Sequence, residues 1–291
     1  MKQMDRVKQI LGIALAAMMA LATFTGCGAA AADASSKGEG QDLLAQIKAK
    51  GKIVVGMNAE FAPYEFHAIV DGKDTVSGFD VELAKAIASD LGVELEIKEM
   101  EFEGLISALN AGQCDVLISG LATTEKRRQQ VDFSDPYYTG KNLLLMNKKN
   151  TEGMDSVAEL ADNKIGIQMS STQQVYAQNN LEPQGTQVTY IGSMNTLLMS
   201  LKAGQIDGIV TDDTVCRTMV ISNPDLVINQ NCTFPSENPG EDSTAVAIPK
   251  GESSLTAEIN KTIARLKADG QMEKLVDEAC ALAAQNAGSE E

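Results

Sequence analysis

The sequence predicts an α/β protein built from two similar lobes. Apolar strands alternate with amphipathic helices, the alternation restarts near residue 164, and one helix-to-strand segment is echoed later in the chain. The echo is the most specific of the three. Leu105-Ile106-Ser107-Ala108-Leu109-Asn110-Ala111-Gly112-Gln113-Cys114-Asp115 is answered 92 positions on by Leu197-Leu198-Met199-Ser200-Leu201-Lys202-Ala203-Gly204-Gln205-Ile206-Asp207, with six of eleven positions identical.

Lys52 to Met57 opens the first series as a strand. Asp80 to Leu91 follows as a helix, because Leu83, Ala84, Ile87, Ala88 and Leu91 share one face and Gly92 ends it. Val93, Leu95 and Ile97 alternate as a strand. A helix over Glu103 to Ala111 then leads through Gly112 to an apolar strand, Asp115 to Ser119. In the second series Lys164 to Gln168 is a strand, Ser171 or Thr172 caps a helix through Asn179, Val188 to Ile191 is a strand and Met194 to Ala203 a helix. The strands after the two echoed turns end at Ser119-Gly120 and Thr211-Asp212, and ligands of open α/β sheets bind beyond such carboxyl ends. Asp115 and Asp207, recurring at both turns, read as structural. The last part, Ala245 to Pro249 and helices from Leu255 to Ala268 and Met272 to Ala284, lacks a further complete unit, so it is expected to return to the first lobe. Crossings near Thr139 to Asn142 and Gly240 to Ser243 would then act as hinges.

The N-terminus bears on location. Lys2, Arg6 and Lys8 precede an apolar run from Ile10 to Ala22, long enough for a secretory signal and short for a membrane span. Phe24-Thr25-Gly26-Cys27 resembles the lipobox of bacterial lipoproteins, with Phe24 where leucine is usual; the alternative is a plain signal cut near Ala29 to Ala32. The expected organisation is a signal peptide over 1–26, a lipidated flexible tether over 27–41, lobe 1 over 42–140 and 244–286, and lobe 2 over 141–243. Loss of residues 1–26 takes the net charge from −16 to −18. So acidic a surface repels phosphate backbones and argues against nucleic acid as a partner. Cys114, Cys216, Cys232 and Cys280 lack zinc-site spacing and are expected to be buried free thiols, with a Cys216–Cys232 pair the alternative. No metal motif, phosphate-cradling loop or cofactor fingerprint is present, so no cofactor is expected.

Five segments in order carry a family resemblance: Val55 to Phe66 (Val-Gly-Met-Asn-Ala-Glu-Phe-Ala-Pro-Tyr-Glu-Phe), Gly78 to Leu83 (Gly-Phe-Asp-Val-Glu-Leu), Ile118 to Arg127 (Ile-Ser-Gly-Leu-Ala-Thr-Thr-Glu-Lys-Arg), Val131 to Tyr138 (Val-Asp-Phe-Ser-Asp-Pro-Tyr-Tyr) and Ile165 to Gln168. The chain resembles the polar amino-acid branch, family 3, of the extracellular solute-binding proteins of ATP-binding-cassette (ABC) importers. The resemblance implies a two-lobed periplasmic-binding-protein (Venus flytrap) fold, each lobe a central mixed sheet flanked by helices, with two hinge strands. It also implies a monomer that captures a free amino acid and hands it to ABC transporter permease subunits, anchored to the membrane through lipid at Cys27.

The family pattern assigns ligand-binding roles that the chemistry of a zwitterion makes sensible, since a buried unpaired charge is costly. Arg127 matches the carboxylate clamp, because a planar guanidinium holds both carboxylate oxygens; by composition alone Glu125 to Arg128 is a solvated charge run. Asp212 matches the ammonium partner, with Asp213 expected to turn away by strand alternation. Ser119, Gly120 and Ala122 match positions around the ligand, Ala122 through its backbone amide. Ser171 and Thr172 open a helix whose N–H groups suit a carboxylate, and Phe61 and Phe102 match aromatic walls. Asn58 stands where relatives preferring cationic ligands often carry aspartate, and Gln168 is expected to face it across the cleft. That pattern favours glutamine or a broad polar set over arginine or lysine, with Glu60 able to reverse the preference if it points inward. Rival functions are a dehydratase on the same architecture, a sensor ectodomain and an adhesin. Against an enzyme, His67 is the only histidine and completes no nucleophilic triad.

Overall fold

The computed structural model describes residues 42–287 except 237 and 239, so the expected signal peptide, Cys27 and the tether lie outside the described residues. Two five-stranded sheets organise the chain. The first places strand Lys52–Met57 between the parallel strands Glu94–Glu99 and Val116–Leu117, with Ala247–Ile248 and Asp132–Phe133 added antiparallel. The second repeats the plan: Lys164–Gln168 lies between the parallel strands Gln187–Ile191 and Gly208–Asp212, with Asn142–Asn147 and Leu226–Thr233 added antiparallel. This is a two-lobed mixed α/β fold.

The antiparallel strand at the fourth place in each sheet has a topological cause. Strand Asn142–Asn147 follows the first passage out of lobe 1, and Ala247–Ile248 follows the return passage. Neither is preceded by a helical crossover, so neither can join as a parallel neighbour. The passages pair with each other: Tyr138–Thr139 runs antiparallel to Ser243–Thr244, and the N–H of Gly140 donates to the carbonyl of Asp242 (3.2 Å).

The echoed turns do the same work in both lobes. The N–H of Asp115 donates to the carbonyl of Val54 (2.8 Å), and its carboxylate accepts the N–H of Val54 (2.7 Å). The N–H of Asp207 likewise donates to the Lys164 carbonyl (2.7 Å), and its carboxylate accepts the Lys164 N–H (2.8 Å). Each aspartate ties the turn to the start of the central strand of its own sheet. That requirement explains why the turn recurs.

Helix Phe79–Leu91 buries all five residues of its predicted face, and Gly92 closes it at φ 71°. In strand Asn142–Asn147, Leu143 and Leu145 face a different core cluster from Leu144 and Met146, as period-two alternation requires of a strand covered on both faces. Several elements depart from expectation. An antiparallel sheet of Glu60–Phe61, Glu65–Val70 and Lys73–Ser77 stands where no strands were expected. Residue 213 begins helix Asp213–Ser222 rather than continuing a strand. The helix expected through Asn179 is α-helical only over Thr172–Tyr176 and widens to a π-turn over Ala177–Leu181. The closing helix Gln271–Ala287 packs on Phe79–Leu91 and Glu65–Val70 of lobe 1 but also on Asp213–Ser222 of lobe 2. Cys114, Cys216 and Cys232 are buried free thiols; Cys280 is also free but half-buried, and Cys216 does not pair with Cys232.

Gly78 precedes helix Phe79–Leu91 at φ 126°, and a Cβ there would stand 2.1 Å from the Tyr64 carbonyl oxygen. Gly78→Ala is expected to cost more than about 2 kcal/mol of stability, read as a lowered urea midpoint.

Candidate ligand-binding cleft

One cavity lies where the carboxyl ends of the two sheets meet the paired passages. It encloses about 510 Å³ of space not filled by atoms, part of it continuous with solvent. Phe61, Phe102, Gly120, Ala122, Arg127, Gln168, Ser171, Thr172 and Asp212 all line it. Asn58 and Ser119 do not. Asn58 donates from Nδ2 to the Met100 carbonyl (3.2 Å) and borders a second pocket. Ser119 is fully buried, donating to Glu65 and accepting the N–H of Asn58 (3.0 Å), so it supports the wall from behind. Gln168 does not face Asn58 across the cleft; its amide donates to the Gly192 carbonyl (3.2 Å).

Arg127 arrives on the short helix Glu125–Arg128, which Thr124 caps by accepting the Arg127 N–H (3.2 Å). Only 8 % of the residue is exposed. One terminal nitrogen donates to the Ala122 carbonyl (2.8 Å), and the other reaches lobe 2 to donate to the Ser170 carbonyl (2.9 Å). Its guanidinium carbon stands 5.6 Å from the centre of the Phe102 ring. Among the described residues it forms no ion pair, and burial pulls it down to about 10 while Glu241 opposes that fall. A guanidinium has five N–H donors, so it retains capacity for an arriving acceptor.

Asp212 caps helix Asp213–Ser222, its Oδ1 accepting the N–H (2.9 Å) and the hydroxyl (2.5 Å) of Thr214. Tyr64, itself buried, lines the same cavity. Burial pushes the carboxyl up to about 6; the Thr214 hydrogen bonds oppose the rise, and Asp213 adds to it. Asp213 does turn away from the cavity, paired with Arg217 (2.8 Å), but through helix geometry rather than strand alternation. The other Asp212 oxygen lies against Gly140, where a Cβ would come within 2.3 Å. Ser171 accepts the N–H of Gln174 (3.2 Å) as a helix cap. Its hydroxyl donates to the Gln168 carbonyl (2.7 Å).

The profile of the bacterial extracellular solute-binding proteins, family 3, matches residues 53–279. The chain belongs to that family. It is similar to the arginine-binding extracellular protein ArtP of Bacillus subtilis (strain 168), at 34% identity over 226 residues, 78% of this chain and 85% of that one. Among solved structures it resembles the amino acid ABC transporter substrate-binding protein AbpA of Streptococcus pneumoniae bound to L-arginine, with a TM-score of 0.78 and 39% identity over 82% of this chain and 98% of that one. It also resembles the ancestral amino-acid-binding protein AncCDT-1, a precursor of cyclohexadienyl dehydratase, with a TM-score of 0.71 and 29% identity over 82% and 99% of the two chains.

Sequence reasoning about this family 3 protein missed Tyr64, Gly140, Asn142, Gln173, Glu241, Asp242 and Thr244, which also line the cavity. Tyr64 sits inside a segment that carried the resemblance. Gly140, Asn142, Glu241 and Asp242 fall in the expected crossings, and a segment passing between lobes must run along the floor of the cleft they share. The crossings were therefore the available signal.

The Asp212 carboxyl carbon, followed by carbon-13 NMR, is expected to titrate with a midpoint near 6. Thr214→Val, which removes the hydroxyl donor but keeps the backbone one, is expected to move that midpoint higher; an unmoved midpoint would detach Thr214 from control of the group.

Proposed function

We propose that this protein captures a free amino acid outside the cytoplasm and delivers it to an ABC importer by closing its two lobes around it. The observation that carries this reading is that one cavity is lined both by a buried guanidinium in no ion pair among the described residues and by a half-buried carboxylate at the end of a strand of the second sheet. Each charge is costly to the extent that it is buried, and a zwitterion satisfies both at once. Arg127 would take the ligand carboxylate and Asp212 the ammonium. Because the bond from Arg127 to the Ser170 carbonyl spans the lobes, closure and ligand capture are coupled, and the ligand stabilises the closed form by its differential affinity. The lobe boundaries proposed are 42–140 with 244–286, and 141–243, hinged at the paired passages.

A cationic side chain is the ligand class favoured. The cavity lining holds one arginine against Asp212, Glu241 and Asp242. A second pocket, with no lining residue in common, holds Glu60, Glu99 and Glu101, of which Glu60 and Glu101 are chain neighbours of the cavity-lining Phe61 and Phe102. Arginine in AbpA and in the name of ArtP supports the same class. The expectation of glutamine rested on Asn58 facing Gln168, and Asn58 lies outside the cavity. Binding rather than dehydration is favoured because His67 is exposed between Asp74 and Glu99, borders the second pocket and contributes no group to the cavity. Lipid at Cys27 would hold the protein to the membrane, and a monomer is the assembly proposed.

Asp212→Ala and Arg127→Ala are each expected to weaken amino-acid binding at least tenfold, about 1.4 kcal/mol, with the fold retained, measured by calorimetry. Unchanged affinity in either would remove that residue from the site. Arginine is expected to raise Tm more than glutamine in a thermal-shift screen of the unlipidated protein, and Glu60→Gln to narrow the difference. Cys27→Ala is expected to move the protein from the membrane fraction to the soluble one.

A further inference from the structure

We propose that Glu65 and Asp80 form one buried carboxyl pair sharing a single proton, and that this pair positions the Ser119-Gly120 turn against the cavity. The position is deeper than the cavity, and of the predicted ligand contacts it touches only Ser119, which lies behind the wall, and Gly120. Both carboxyl residues are fully buried. Glu65 begins strand Glu65–Val70 and Asp80 lies in the first turn of helix Phe79–Leu91, so two separate elements bring them together.

Adjacent residues of one turn are held by the two acids. The Ser119 hydroxyl donates to Oε1 of Glu65 (2.6 Å), and the Gly120 N–H donates to Oδ2 of Asp80 (2.8 Å). The Tyr137 hydroxyl donates to the same Asp80 oxygen (2.9 Å). The remaining oxygens, Oε2 of Glu65 and Oδ1 of Asp80, are buried and receive no hydrogen bond from any donor among the described residues, so a bond between the two acids is what would satisfy them. Two ionised carboxylates offer only acceptors, so a bond between them needs a proton on one. No lysine, arginine or histidine pairs with either acid among the described residues. The other titratable groups facing the pair are the buried phenols of Tyr64 and Tyr137.

The proton belongs on Glu65. Asp80 accepts two donors and sits in the first turn of a helix, where the dipole favours negative charge, whereas Glu65 accepts one. Burial and the neighbouring Asp80 push Glu65 well above the usual carboxylate range, while Asp80 is pushed up only to about 6. Gly120 stands at φ 51° with the Phe61 ring 3.1 Å from where its Cβ would be, and two residues on the Ala122 carbonyl receives Arg127. The pair is thus joined through one short turn to an aromatic wall and to the guanidinium.

The sign of the pH effect follows. A carboxyl raised on folding adds stability that is complete below its unfolded value of 4.5 and is lost as pH rises through its folded value. Wild-type protein is therefore expected to lose Tm on the alkaline side. Glu65→Gln, whose amide can donate to Asp80 and accept from Ser119 without titrating, is expected to flatten that loss. Carbon-13 NMR of the carboxyl carbons is expected to show Glu65 still protonated at a pH where the exposed glutamates have ionised. A Glu65 midpoint in the ordinary carboxylate range, or an alkaline slope in Glu65→Gln equal to that of wild type, would overturn the pair. The positioning arm rests on the amino-acid reading: Glu65→Ala is expected to weaken binding of the amino acid at least tenfold, with Glu65→Gln restoring most of it. Equal affinities in all three proteins would overturn positioning. If wild type binds no amino acid, the function fails while the titration still decides the pair.

Discussion

A buried guanidinium and a half-buried carboxylate, neither in an ion pair among the described residues, set the terms for this molecule. Taking either ion from water costs several kcal/mol even after the surroundings relax. Arg127 recovers part of that through two backbone carbonyls, and Asp212 through Thr214. Neutral dipoles leave net charge behind. On the proposed reading, a ligand of complementary charge would relieve that unfavourable electrostatics and turn a folding liability into binding energy.

The chain path gives that opposition its moving part. Two passages connect the sheets, each feeding directly into the antiparallel strand of the lobe it enters. Gly140 lies in the first, against Asp212, and Glu241 and Asp242 lie in the second. Residues of the passages are thereby residues that line the cavity. The closing helix Gln271–Ala287 packs on Phe79–Leu91 and Glu65–Val70 on one side and on Asp213–Ser222 on the other, so it bridges elements of both sheets' surroundings.

Behind the cavity, acid chemistry recurs in a different form. Glu65 and Asp80 are as deeply buried as anything in lobe 1, yet among the described residues no cation pairs with them. Hydrogen bonds from Ser119, Gly120 and Tyr137, with a proton between the acids, replace the missing counter-charge. The consequence is rigidity in the turn that carries Gly120, on which the geometry of Phe61 and Arg127 depends.

The sequence by itself determined the lobes and much of the cleft. Periodicity exposed helix Phe79–Leu91 and the strands at 52 and 164, because a buried face imposes its spacing on the residues that form it. The repeated Ala-Gly-Gln-x-Asp turn exposed the duplication, because both lobes need an aspartate to bind the start of their central strand. Nine lining residues were expected from the family resemblance, five of them inside the segments that carry it. Tertiary structure alone decided the rest. Short antiparallel strands at 60–77 carry too few residues for a period to register. Asn58 and Ser119 share motifs with true lining residues and differ from them only in which way the side chain leaves the wall. Glu65 and Asp80 lie 15 positions apart in ordinary element-forming sequence, and only packing a strand start against a helix start makes two acids compete for one proton.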